Sequence, residues 1–131
     1  MLSKLRHTVT LLIKCCFASV FEPNAMILRV VRMTFHPHRV ADFLRIFSAS
    51  KERIRIVSGC RHLALWQDAD QPHIYCTYSH WDSVAALDAY RRSALFGEVW
   101  PATKALFMAP PLAFSVQQVT LGEDAPDTLP G

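Results

Sequence analysis

The sequence predicts an α+β domain over residues 26 to 120, and three observations carry that reading. Four short runs rich in β-branched and aromatic residues alternate with two longer stretches whose apolar residues recur near a 3.6-residue period. Clusters of Gly, Pro, Ser and Asp punctuate the boundaries between them. The whole chain has 131 residues, 51% apolar and 19% charged, which is enough chain and enough apolar surface for one ordered domain.

Met26 to Phe35 reads as the first strand, with Ile27, Leu28, Val30, Val31, Met33 and Phe35 apolar on both faces. His36-Pro37-His38 ends it, and proline suits the first turn of a helix. Val40, Phe43, Leu44, Phe47, Ile54 and Val57 form one helical stripe, which Ser58-Gly59 stops. Arg61 to Asp68 and His73 to Ser79 read as a hairpin turning at Ala69-Asp70-Gln71-Pro72. Asp82 is placed to cap a second helix, whose buried stripe is Val84, Leu87 and Tyr90. Ser93 and Gly97 loosen that helix, and Pro101 restarts a short one ending near Phe107. Pro110-Pro111 breaks the chain before a last strand, Ala113 to Val119.

The order β-α-β-β-α-β is the ferredoxin-like arrangement, a four-stranded antiparallel sheet with helices on one face. The other face needs a cover that this chain does not supply, so a homodimer is expected. The net charge of +3 is mild and its basic residues are scattered, without the basic-aromatic stripe of a nucleic-acid binder. Cys15, Cys16, Cys60 and Cys76 match neither a zinc pattern nor a redox C-x-x-C, which favours reduced thiols and a cytoplasmic setting. His36 and His38 lack a third ligand, so no metal site is expected.

Residues 1–25 stand apart. Lys4 and Arg6 precede an apolar run, Val9 to Phe21, with the outline of a targeting segment or anchor. The run is shorter than the ~20 residues a bilayer needs and contains Lys14. A poorly ordered extension and a start called early, with Met26 as the true start, are the other readings. Residues 121–131 are acidic and Pro-bearing, the composition of a disordered tail.

The stretch from Trp81-Asp82-Ser83 through Ala86-Leu87, Tyr90 and Ser93 to Phe96 resembles the signature of the antibiotic-biosynthesis-monooxygenase family, and Val57-Ser58-Gly59-Cys60 resembles its link from helix to strand. The likeness covers residues 26 to 120. It implies a dimeric α+β barrel with one pocket per subunit, between sheet and helices. The oxygenases of the family use no metal or flavin, because a phenol or quinol substrate supplies the electrons. The haem-degrading branch shares Trp81. It differs at the first strand, where Val30-Val31-Arg32 replaces an Asn, and near Trp100, where a His is needed, so haem degradation is not expected.

With the turn at 69–72, Trp66 pairs with Tyr75, Ala64 with Thr77 and His62 with Ser79. That puts His62, Trp66, Tyr75, Thr77 and Ser79 on one face, and Leu63, Leu65, Ile74, Cys76 and Tyr78 on the other. A slip of one residue exchanges the groups. The mixed face is read either as a pocket wall or as the dimer interface, where aromatic residues are also enriched. The expected general base is His62 or His80, since histidine takes a proton near neutral pH. Trp66, Tyr75, Tyr78, Trp81, Arg92 and Trp100 are the expected substrate contacts, Arg92 holding a phenolate oxygen. Each has a structural alternative: His80 as a capping residue, Trp81 and Trp100 as core, Arg92 as helix surface.

Two functions follow. The first is a cofactor-independent monooxygenase acting on a quinol or hydroxylated aromatic. The second is a non-catalytic dimeric binding or stress-response module of the same fold. A pocket of roughly 300 Å³ or more with a histidine pointing in marks the first, and a pocket sealed by side chains marks the second.

Overall fold

A computed structural model of the protein describes residues 25–119 and 121. The readings made for residues 1–24 and 122–131 lie outside them. The elements are β1 (Ile27–Thr34), a 3-10 turn (Pro37–Arg39), α1 (Val40–Arg55), β2 (Cys60–Gln67), β3 (Ile74–Trp81), α2 (Val84–Arg91), α3 (Ala94–Lys104) and β4 (Leu112–Val116). The sheet order is β2-β3-β1-β4 and every pairing is antiparallel. This is the ferredoxin-like α+β fold that the element order predicts. Among the described residues no helix is long and apolar enough to cross a membrane.

Alternation along the strands sorts the sheet into two faces. Ile27, Arg29, Val31 and Met33 of β1 lie beside Trp81, Ser79, Thr77 and Tyr75 of β3 on the inner face, under the helices. Met33, Phe35, Phe43, Tyr75 and Leu106 form one core cluster there, and Ile27, Trp81 and Leu87 a second. Phe43, Ser50 and Ile54 are the buried positions of α1, spaced by helical turns. Ser50 is tolerated inside because its hydroxyl donates to the Ile46 carbonyl at 2.7 Å.

Four local expectations change. The β2–β3 register is one residue away from the expected one: Leu63 pairs with Ser79, Leu65 with Thr77 and Trp66 with Cys76. The cause lies in the turn. Asp68 Oδ2 accepts from the amides of Asp70 and Gln71, and the His73 carbonyl accepts from the Phe35 amide at 3.0 Å. The Asp68 amide therefore donates to Ile74, and the loop gains a residue. Ser83, not Asp82, caps α2 by accepting from the Ala86 amide. Asp82 instead receives two hydrogen bonds from Arg61, at 2.6 and 2.9 Å. Ser93 caps α3 by accepting from the Phe96 amide, so the second helical region breaks there and Pro101 lies inside α3.

Gly59 turns the chain from α1 into β2 with φ +87°, a conformation that costs other residues energy. A Cβ at this position would sit 2.5 Å from the Cβ of Ala86. Gly59→Ala is expected to destabilise the domain by about 2–4 kcal/mol, from backbone strain and overpacking together. Urea unfolding measures it, and Gly59→Ala with Ala86→Gly should recover only the packing share.

Candidate functional site

An open cavity of about 220 Å³ lies between the inner face of the sheet and the helices. Its floor is Val31, Leu63, Thr77 and Ser79, and its roof includes Phe47 of α1 and Phe96, Val99 and Trp100 of α3. The volume lies below the ~300–1,000 Å³ of drug-sized sites, which suits a molecule of one or two rings.

The aromatic wall is continuous. Trp81 is 1% exposed, and its ring stacks on Tyr90 with centroids 4.9 Å apart. Tyr90 meets Phe96 edge-on at 5.3 Å, and Phe96 stacks on Trp100 at 5.8 Å. The Trp81 indole N–H donates to Ser79 Oγ at 3.0 Å, so this buried donor is satisfied and the ring is fixed. Arg53 of α1 grips Glu98 of α3 through two hydrogen bonds, at 3.1 and 3.2 Å, tying the two roof helices together. Burial, with Cys60 nearby, pushes the Tyr90 phenol up to about 12. Tyr90 is therefore a neutral donor at physiological pH, not a base.

The polar groups of the cavity are Arg29, Arg91, Ser50, Ser79, Thr77, Thr103 and Tyr90. Arg29 reaches in from β1 and its Nη1 donates to Ser115 Oγ at 3.1 Å. Burial lowers its pKa, the charge of Arg91 lowers it further, and Asp88 opposes both. No histidine lines the cavity, and among the described residues no group of three or more His, Cys, Asp or Glu is placed to hold a metal ion.

Of the eight site residues expected from sequence, Trp81 and Trp100 line the cavity. The register moves His62 and Trp66 away from Thr77 and Ser79. His62 and His80 are direct cross-strand partners on the outer face, rings 4.9 Å apart. Trp66 and Tyr78 stack beside them at 4.6 Å, also outside. Tyr75 stays on the face of Thr77 and Ser79, packed into the core against Phe35 and Phe43, with its hydroxyl accepting from Gln67 Nε2 at 3.2 Å. The expected grouping of His62 and Trp66 with Tyr75, Thr77 and Ser79 is thus corrected: the histidines and Trp66 share a face with Tyr78 and Cys76. Arg92 ends α2 and is exposed, while its neighbour Arg91 reaches the cavity. Arg29 is a site residue the sequence reading missed. Its alternation with Ile27, Val31 and Met33 was the available signal.

These features define a class: a ferredoxin-like domain with an aromatic-walled, arginine-bearing cavity between sheet and helices. Residues 26–100 match the antibiotic biosynthesis monooxygenase family, and the chain belongs to it. Among solved structures, a conserved protein of Methanosarcina mazei Go1 superposes with a TM-score of 0.70 at 20% identity, covering 74% of this chain and 96% of its own. A Bordetella bronchiseptica protein, provisionally assigned as an antibiotic biosynthesis monooxygenase, gives 0.66 at 26%, covering 73% and 99%. A Caulobacter crescentus CB15 protein with the same provisional assignment gives 0.70 at 18%, covering 75% and 93%. No curated protein matches the chain.

The outer face carries a pH dependence of its own. Burial, then the neighbouring His62, lowers the His80 pKa. The groups sharing this face are His62 on β2, Cys76 and Tyr78 on β3 and Arg32 on β1, with no carboxylate among the described strand residues. The unfolded chain therefore takes up its His80 proton at a higher pH than the folded one. The resulting contribution is fully present above an ordinary histidine pKa of about 6.5 and is lost as pH falls below it. Unfolding midpoints between pH 7.5 and 5 should decline more steeply in the wild type than in His80→Asn.

Proposed function

We propose that this protein is a cofactor-independent monooxygenase that oxidises a quinol or hydroxylated aromatic with O₂ and works as a homodimer. The observation that carries the reading is the cavity: aromatic walls sized for one or two rings, with hydrogen-bond donors at its edge, in a chain of this family. A phenol with a free ring C–H loses its proton, and the phenolate passes one electron to O₂. The two radicals combine into a ring hydroperoxide. The proton lost from the hydroxyl returns to the peroxide, and loss of water then leaves a quinone, so one oxygen atom enters the product and the other departs with that proton and the ring C–H hydrogen. The enzyme's part is to stabilise the phenolate and keep water away. Arg29 and Arg91 are the charged donors in the cavity, and they favour the phenolate by lowering its proton affinity.

The homodimer reading rests on the outer face. Trp66, Leu112, Phe114 and Val116 are 46, 58, 42 and 42% exposed there, a broad apolar surface. The same face holds His62 Nε2, Tyr78 Oη and His80 Nε2, buried and without a hydrogen-bond partner among the described residues. Phe114→Glu should convert the dimer to a monomer in light scattering. An unchanged mass would remove this face as the interface.

A second reading keeps the cavity and drops the chemistry: a binding module of the same fold. The observation in its favour is that no histidine or carboxylate base lines the cavity, which is neither sealed nor furnished as the sequence reading required of an enzyme. Oxygen consumption by metal-stripped protein, across a panel of quinols and polyhydroxylated aromatics, separates the two. The oxygenase reading expects uptake above the autoxidation blank. Val31→Phe, which fills the cavity, should cut that uptake at least ~10-fold by displacing the ring. His62→Ala and His80→Ala, outside the cavity, should retain it. Loss of activity in a histidine variant that remains dimeric would move the reaction to the outer face. Saturable binding without uptake would leave the module.

A further inference from the structure

Among the described arginines five are held in ion pairs, while Arg29, Arg32, Arg91 and Arg92 are in none. Arg39 and Arg45 pair with Asp42, Arg53 with Glu98, Arg55 with Glu52 and Arg61 with Asp82, all on the surface. The two that line the cavity, Arg29 and Arg91, take part in no ion pair among the described residues. Arg29 is half-buried, and its side-chain hydrogen bond goes to a neutral hydroxyl, Ser115 Oγ. Asp88 lies close enough to be felt, but not within ion-pair distance. A guanidinium desolvated beside a second positive charge is costly unless an anion completes it. The rest of the cavity lining is apolar, aromatic or hydroxyl-bearing, with no carboxylate, and cannot supply one.

We propose that Arg29 and Arg91 form an anion subsite, and that the natural ligand is an aromatic acid: one or two fused rings bearing a carboxylate that is ionised at neutral pH. The ring lies among Phe47, Phe96 and Trp100, and the carboxylate meets the Arg29 guanidinium, with Arg91 closing the mouth. A planar fork matches a carboxylate's two oxygens, which is why arginine serves here better than lysine. The binding claim stands apart from turnover. It rests on the proposed oxygenase only in that the same ring would carry the oxidisable hydroxyl.

The test compares 1-hydroxy-2-naphthoate with 1-naphthol, which differ by the carboxylate, in calorimetric titrations of the full chain at low salt. The wild type is expected to bind the acid about 10–100-fold more tightly, the range of charge-assisted hydrogen bonds. Arg29→Gln should remove most of that preference, read as the ratio of the two affinities, while Arg29→Lys recovers part of it. Arg91→Gln, at an exposed position that tolerates change, gives a smaller loss and carries the test if Arg29→Gln fails to fold. Equal affinity for the two compounds, a preference that survives in the double variant, or binding of neither compound overturns the subsite. Tight binding of the acid without oxygen uptake by any hydroxylated acid keeps the subsite and overturns the oxygenase. Uptake with neutral quinols and no preference for the acid does the reverse.

Discussion

The pairing of Leu63 with Ser79 decides what each face of the sheet contains. Side chains alternate along a strand, so this one ladder position places Ser79, Thr77 and Trp81 under the helices and His62, Trp66, Tyr78 and His80 on the opposite side. Ser79 is central to it. It lies between Leu63 and Arg29 across the two neighbouring strands, and its hydroxyl holds the Trp81 indole. Trp81 in turn orients Tyr90 and the line of rings that reaches α3. The cavity is the space left under that line.

The fold was legible because its determinants are local and repeated. Periodicities of two and 3.6 survive small errors in boundary, and Gly59 marks the helix stop through a positive φ that the sequence announces. The site was less legible because it depends on parity. The expected hairpin turn left out one residue, since the Asp68 side chain takes two turn amides and the His73 carbonyl bonds to Phe35, a residue far away in sequence. One residue of loop moved His62 and Trp66 to the other side of the sheet from Thr77 and Ser79. Helix faces are similarly unforgiving: Arg91 reaches the cavity and Arg92 does not, although they are adjacent. Arg29 escaped notice because an arginine in a strand reads as solvent-facing until the neighbouring strand positions are known to be covered.

The two sides of the sheet then answer different physical demands. The inner side is largely apolar and aromatic, and its charge is concentrated in guanidinium groups beside the cavity. The outer side is broader, and it buries polar ring and hydroxyl atoms with nothing in the described chain to bond them. A single sheet thus carries a ligand-sized hollow on one surface and an area suited to a protein partner on the other. The helices cover the inner side of β1, whose outer side keeps Leu28 and Val30 half-buried beside the exposed Phe114 and Val116.

The break at Ser93 has an evolutionary consequence. The floor of the cavity is woven into the strand ladder, where any change is felt across the sheet. Much of the roof sits on α3, eleven residues with their own serine cap, joined to α1 through the exposed pair Arg53 and Glu98. Substitutions at Phe96, Val99 or Trp100 can therefore reshape the space above a ring without disturbing strand registration. A lineage built on this plan can exchange one substrate for another by rewriting a single short helix.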